Sequence, residues 1–545
     1  MDAATAGLEN MAFISNAVSL VTYFYGYMNF SLAKSATTLT NSWGLLFCYR
    51  YLEDSSATPT CPDKTCVLFG SIEILGYALL TVQAHFHQLR PFPCKDVPPS
   101  KMNQCEAATS GQTAILFTSL YLVALGTSGI KAALPSLGAD QFDEKDPKEA
   151  ASLSSFFNWL LFSITIGAML GVTFLVWIST NQGWDWSFGV STIAVLAGIL
   201  FLTMGRSIYR NNKPKGSPII RIIQVFVAAI RNRKLPIPAM AEKLHETRDK
   251  EAGIGAEILQ RTAQFKFFDR AAIVVHDAST PSMPGPWRMC TVTQVEETKI
   301  IVRMLPIILS TILMNTCLAQ LQTFTIQQSS TMDRSLLGFQ VPGASIPVIP
   351  LAFMFVSIPL YDRVFVPLAR KFTGIPTGIR YLQRIGVGLV LSAISMAVAG
   401  IIETRRKNVA EKHNMVDSAD PLPISVFWLG FQYAIFGIAD IVLLLRKLIR
   451  HEVPEHSNLW CSLAFGYFTS SVMVEVVNKA SGGWLANNNL NRDELNYFYW
   501  LLSGLSIVNF GFYLVCSSWY RYKKEEQVDS NSGGEAKIKI EMGSG

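Results

Sequence analysis

Residues 112–134 read QTAILFTSLYLVALGTSGIKAAL, with one charge, Lys131, close to the far end. A stretch this long and apolar matches the ~20 residues that a helix needs to cross a bilayer core. A lysine held inside such a stretch is costly enough to be a functional candidate in its own right. Similar stretches recur on both sides, at 7–26, 66–88, 153–179, 184–205, 298–325, 345–367, 381–402, 422–448, 459–480 and 496–517. Together with 112–134 they make eleven. The room for a twelfth lies at 33–53, a poor span with a short apolar part and with Arg50, Glu53 and Asp54 at its end. Each central charge there costs roughly 2.5–3.5 kcal/mol on insertion scales. The pattern predicts an all-α membrane protein of nominally twelve helices, the second of them abnormal.

The bulk numbers agree. Of 545 residues, 50% are hydrophobic and 16% charged, where soluble domains carry about 25% charge. This excludes a secreted disulfide scaffold, a disordered chain and an ordinary cytosolic enzyme. The formal net charge is +6, and one segment accounts for it. Between the fifth and sixth of the clear spans, residues 207–295 carry fourteen Lys/Arg against seven Asp/Glu. Basic loops stay in the cytoplasm, so the excess reports topology rather than a nucleic-acid partner. It divides the chain into an N-terminal bundle (1–206), a cytoplasmic basic linker (207–297), a C-terminal bundle (298–520) and a polar tail (521–545) expected to be disordered. Arg370 and Lys371 fall on the same inner side. Arg405, Arg406, Lys407 and Lys412 fall outside, against the rule.

The first apolar run lacks a basic leader region and reads as a span, not a cleavable signal. Nine cysteines show no CxxC or Cys/His metal spacing. Cys94 and Cys105 share one polar loop that this topology turns outward, which makes them a disulfide candidate. His85 and His87 read as a solvated helix end. Asp140, Asp143, Glu144 and Asp146 lack the glycine and terminal glutamate of a calcium loop. Gly253 and Gly255 do not complete a dinucleotide fingerprint, and neither a nucleophile elbow nor HExxH occurs. No metal site, cofactor or enzymatic constellation is expected.

Ionisable residues within the spans remain. Glu9 lies in the first, Glu73 in the third, Lys131 in the fourth and Asp440 in the tenth. Lys131 could snorkel to the interface, Glu9 could sit among headgroups, and Glu73 reads as a packed, hydrogen-bonded residue. Asp440 is the hardest to dismiss, because apolar residues flank it closely. A lysine and carboxylates from opposite halves suit a central anion or proton site, since each charge can partner another when the site is empty.

Residues 126–143, GTSGIKAALPSLGADQFD, resemble the G-[TS]-G-G-I-K-x6-GADQFD motif of proton-dependent oligopeptide transporters, with Ser128 in place of one glycine. Phe156-Phe157-Asn158-Trp159 with Ile166-Gly167, Met332-Asp333-Arg334, Pro359-Leu360-Tyr361-Asp362-Arg363 and Leu382-Gln383-Arg384 are similar to further signatures of the plant nitrate/peptide transporter family within the major facilitator superfamily. Phe431–Asp440 and Asn496–Trp519 look closest to its abscisic acid, gibberellin and nitrate-transporting subfamily. The resemblance implies twelve spans in two six-helix bundles that rock about a midplane site. Lys131 matches the fourth-span lysine, and Asp440 stands where many members have a glutamate. Glu9 matches the second acid of the first-span E-x-x-E-R motif, with Ala6 at the first acid and Asn10 at the basic position. Leu318 occupies the place of a nitrate-binding histidine, in a stretch whose polar candidate is Gln320. Asp362, Arg363 and Arg370 match a cytoplasmic gate.

Residues 42–63, SWGLLFCYRYLEDSSATPTCPD, stand where the resembled family has a Gly-rich second span and an acidic-to-basic loop. Back-translated with free codon choice, the neighbouring frame permits such a span and loop, so a compensated frameshift is expected here. A weaker departure is the basic run at 446–452. The expected function is secondary active transport of a small anion, namely nitrate, abscisic acid or a related hormone ahead of di- and tripeptides, with or without protons. The other reading is a non-transporting copy or membrane sensor. The expected partners are the solute and the lipid bilayer, with no nucleic acid, for a monomer in the plasma membrane first and the vacuolar membrane second.

Overall fold

The computed structural model describes residues 2–55, 62–92, 105–142, 146–206, 209–210, 218–236, 244–245, 261–274, 285, 287–336, 338–360, 363–364, 366–373, 381–418, 420–444, 453–486 and 489–520. The first half contains α1 (Asp2–Gly26), α2 (Leu32–Ser55), α3 (Pro62–His85), α4 (Ser110–Ala139), α5 (Pro147–Leu170) and α7 (Trp184–Gly205). A π-helical turn, Gly171–Leu175, continues α5 into α6 (Val176–Asn181). α8 (Pro218–Arg231) lies in the linker. The second half contains α9 (Val292–Ser330), α10 (Val348–Leu360), α11 (Val366–Thr373), α12 (Tyr381–Lys412), α13 (Leu429–Leu444), α14 (Val453–Ala480) and α15 (Leu495–Trp519). Among the described residues, eight helices are long and apolar enough to cross a membrane.

α1 and α2 are not among those eight, and each has a physical reason. α1 buries Thr5, Glu9, Asn10, Ser15, Asn16 and Ser19. Its neighbours are helices rather than lipid, and a helix in that position can carry polar groups that a lipid-facing one cannot. The expectation of a poor second span holds for composition, since α2 falls outside the eight, although the segment is helical through Ser55. It lies against α14 across the boundary between the halves. The Thr40 and Ser471 hydroxyls are 2.5 Å apart, Trp43 stacks on Tyr467 at 5.5 Å and Phe47 on Trp460 at 5.7 Å. Protein partners therefore replace the lipid that its composition would not favour.

Each half has its own apolar core. One is built around Tyr23, Tyr77, Leu120 and Phe188, the other around Phe324, Met396, Tyr433 and Phe498. A smaller cluster with Phe13, Phe47, Ala319 and Tyr467 joins them at the seam. Glycines permit close helix contacts in the first half. A Cβ on Gly126 would stand 2.5 Å from the Glu73 backbone, and one on Gly167 would stand 2.1 Å from the Gly7 carbonyl.

Part of the linker is folded. Val225, Ala228 and Ala229 of α8 pack on Phe268, Ala271 and Ile273. Beside them Lys299 is buried between Asp269 at 2.5 Å and Glu296 at 2.7 Å, and Arg261 reaches Asp269 at 2.9 Å. The tail lies outside the described residues.

Candidate functional site

Lys131 sits on α4 one turn beyond Thr127, facing α1. Its ammonium donates to Glu9 Oε2 at 2.7 Å and to Asn10 Oδ1 at 3.0 Å, and lies 4.4 Å from the centre of the Phe13 ring. Asn10 is held in turn by donating from Nδ2 to the Ile164 carbonyl at 2.9 Å. Glu9 is buried, and its second oxygen, Oε1, has no protein hydrogen-bond partner among the described residues. The group opens on a cavity of about 240 Å³ lined by Glu9, Asn10, Phe13, Arg50, Lys131 and Trp460, among others. The walls come from both halves, since Trp460 belongs to α14. The Arg50 guanidinium lies 3.6 Å over the Trp460 ring.

Burial of Glu9 corrects the headgroup alternative, and the ion pair removes the snorkelling alternative for Lys131. Asn10 stands where the resembled motif has a basic residue. Here it acts as an acceptor for the lysine, so the site holds one ammonium, one carboxylate and one amide.

The remaining expected residues behave differently. Gln320 is buried in α9 and donates to Ser470 Oγ at 2.8 Å and to its carbonyl at 3.1 Å. That bond ties α9 to α14, and Gln320 does not line the Lys131 cavity. Asp440 lies in α13, but its side chain is outside the described residues, as are Asp362 and Cys94. Arg363 and Arg370 are exposed. Cys105 is disulfide-bonded. His85 pairs with Asp185 at 3.1 Å while largely exposed, as a solvated helix end would.

Composition pointed to Arg50 only as an obstacle to membrane insertion, yet it lines the cavity. Trp460 gave no signal at all, because its role depends on α14 meeting α2. A second buried ion cluster was also missed. Arg406 of α12 makes a two-pronged contact with Glu403, with Nε to Oε2 at 2.8 Å and Nη2 to Oε1 at 2.6 Å. It also donates to Thr331 Oγ1, Asn491 Oδ1 and the Leu490 carbonyl. Gln328 donates to Glu403 at 2.6 Å. Arg405 stacks on Trp428 at 4.0 Å, and Lys407 reaches Glu494 at 2.7 Å. Three of the four basic residues that violate the charge rule, Arg405, Arg406 and Lys407, are thus consumed by contacts within the fold.

The chain is similar to known proteins along its whole length. The POT family model matches residues 63–489. The chain belongs to the POT family. It is a multi-pass membrane transporter of that family and not an enzyme. NRT1/PTR family protein 4.5 of Arabidopsis thaliana is 41% identical over 531 residues, covering 94% of this chain and 91% of the relative. NRT1/PTR family protein 4.6 of the same plant is 39% identical, covering 95% and 92%. Among solved structures, an auto-inhibited POT family peptide transporter superposes with a TM-score of 0.67 at 14% identity, covering 96% of this chain and 98% of that one. The POT family transporter PepTSo gives 0.62 at 14% identity, covering 95% and 97%. The fold is therefore that of the major facilitator type, as expected.

Proposed function

We propose that the chain is a secondary active transporter of small anionic solutes, coupled to protons, with Lys131 as the anion-binding cation and Glu9 as its counter-charge in the empty state. The observation that carries the reading is the Lys131–Glu9–Asn10 contact at the wall of a cavity that both halves line. An anion that draws the ammonium away leaves Glu9 as an uncompensated buried carboxylate, and taking up a proton relieves it. Binding of anion and proton are linked by that exchange. Nitrate and hormone carboxylates such as abscisic acid rank ahead of peptides, because the first-span motif keeps one acid of its two. Asp440 in the second half would complete the site. Arg363 and Arg370 with Asp362 would close the inner face, and Cys94 would pair with Cys105. The protein would work as a monomer in the plasma membrane.

Uptake of labelled nitrate, abscisic acid and a dipeptide by cells expressing the chain tests the reading. Anion uptake that is lost in Lys131→Ala is expected. Transport of none of the three, or full activity in Lys131→Ala, would overturn it. The departure at residues 42–63 favours a second reading, a damaged copy or sensor. Uptake by the chain as written beside a version with the reconstructed second span separates the two, transport by the repaired version alone supporting the second.

A further inference from the structure

We propose that the first-half bundle contains an internal proton path from the outer face to the Glu9–Lys131 pair, in which Glu73 holds the proton, Tyr77 and Tyr23 relay it and Asn16 holds the water between them. The proposal rests on the coupling role assigned to Glu9 above, and names the residues that supply its proton.

Three positions of α1, namely 9, 16 and 23, are spaced by seven residues, and a helix turns almost twice in that interval. They therefore share one face and climb about 21 Å along the axis, most of a ~30 Å hydrocarbon core. With the N-terminus inside, Glu9 is the inner end and Tyr23 the outer. On α3, Glu73 and Tyr77 are four apart and again share a face. All five are buried, at 0–3% exposure.

Each leaves one polar atom without a protein hydrogen-bond partner among the described residues: Glu9 Oε1, Asn16 Oδ1, Tyr23 Oη, Glu73 Oε2 and Tyr77 Oη. Buried polar groups are almost always satisfied, and those that protein does not satisfy are satisfied by water. A column of five in one bundle is what a hydrated relay requires and what a sealed core avoids. Glu73 Oε1 accepts from Thr127 Oγ1 at 2.8 Å, and Thr127 stands one turn before Lys131. Glu73 lies within electrostatic range of Glu9 and Lys131, and the Tyr77 hydroxyl faces Asn16. Asn16 is itself fixed by donating to Ser191 Oγ of α7 at 3.3 Å. At the outer end, the Tyr23 ring stacks on Tyr27 at 5.5 Å, and Arg90 covers Tyr27.

The groups facing Glu73 are thus Glu9 from α1, Thr127 and Lys131 from α4, and Tyr77 from its own helix. The acid of α7, Asp185, is occupied by His85 at the outer end. Only O–H bonds change in the transfer. A proton reaches the Glu73 carboxylate by hops through tyrosine hydroxyls and water, each accepting one proton and releasing another. When the solute anion withdraws Lys131, Glu73 returns to carboxylate and Glu9 becomes the acid.

The test uses the full chain in lipid vesicles and reads the infrared C=O stretch of buried carboxylic acids. Glu73→Gln, which keeps the shape and the Thr127 contact, is expected to remove a band that Glu9→Gln retains. Tyr77→Phe is expected to slow hydrogen–deuterium exchange of that band about tenfold or more, as loss of a proton-transfer group does. A band unchanged in Glu73→Gln, or wild-type exchange in Tyr77→Phe, would overturn the path. The infrared results as expected, from vesicles that take up no nitrate or abscisic acid, would support the path and overturn the transport reading alone.

Discussion

The two halves each set a basic residue against a buried glutamate, and they treat the pair in opposite ways. In the second half, Arg406 and Glu403 have no exposed side-chain surface, and Gln328, Thr331, Asn491 and a backbone carbonyl surround them. In the first half, Lys131 and Glu9 share one contact, one carboxylate oxygen has no protein partner, and a cavity opens beside them. A saturated network holds one arrangement. An unsaturated one can exchange partners. The saturated network serves as a rivet at one end of the second half, joining α9, α12 and the loop before α15. The unsaturated one has the makings of a switch.

This contrast is broken most directly at Arg406. Replacing it with leucine strands Glu403 among apolar residues, and breaking a buried pair from one side costs about 3–5 kcal/mol. Thermal unfolding in detergent should show a large fall in Tm, with little folded protein recovered. A variant that melts like the wild type would mean that the network is not a rivet.

Lys131→Ala should do the reverse. Glu9 then faces a cavity that water can enter, so the fold should survive with a modest loss of about 1–2 kcal/mol. Solute binding should fall by about 2–5 kcal/mol, the cost of truncating one partner of a buried charge contact. Uptake assays and melting curves on the same preparation separate the two effects. Equal damage to both would erase the distinction between the halves.

Between these extremes lies the linker knot. Lys299 is wholly buried but has two carboxylates and the Thr262 carbonyl around it. Asp269→Asn removes one charge and leaves the other, so about 1–3 kcal/mol is expected. Limited proteolysis should then cut the linker sooner, while uptake continues.

Lys131 and Glu9 stood out in the sequence because a charge in an apolar run is costly, although snorkelling and a headgroup position stayed open until their contact was seen. What could not be read was register. Gln320 is a plausible binding residue until α14 brings Ser470 against it, 150 positions away. α2 looks unfit for a bilayer until Tyr467 and Trp460 are placed along it. Arg406 counted as a topological exception because a charge tally does not see that Glu403 lies one turn before it. For Gln320 and α2 the deciding contact joins distant segments, and neither composition nor periodicity encodes that.

The smallest effect belongs to the exposed counterpart of these pairs. On the loops beside the Arg406 network, Arg492 reaches both oxygens of Asp417, with Nε to Oδ1 at 2.8 Å and Nη2 to Oδ2 at 2.7 Å. The geometry rivals that of Arg406 and Glu403, but water surrounds it. Hydrogen bonds from Arg492 hold the Asp417 carboxyl below its ordinary value. A lowered carboxyl stabilises the fold above its unfolded pKa and loses that contribution as pH falls through the lowered folded value. The effect is therefore constant at neutral pH and fades only in acid. Exposed pairs are screened by salt and water, so Asp417→Asn should leave Tm unchanged at neutral pH and slightly flatten its decline in acid. A fall in Tm comparable to that of Arg406→Leu would show that contact geometry, rather than exclusion of water, sets the strength of these pairs.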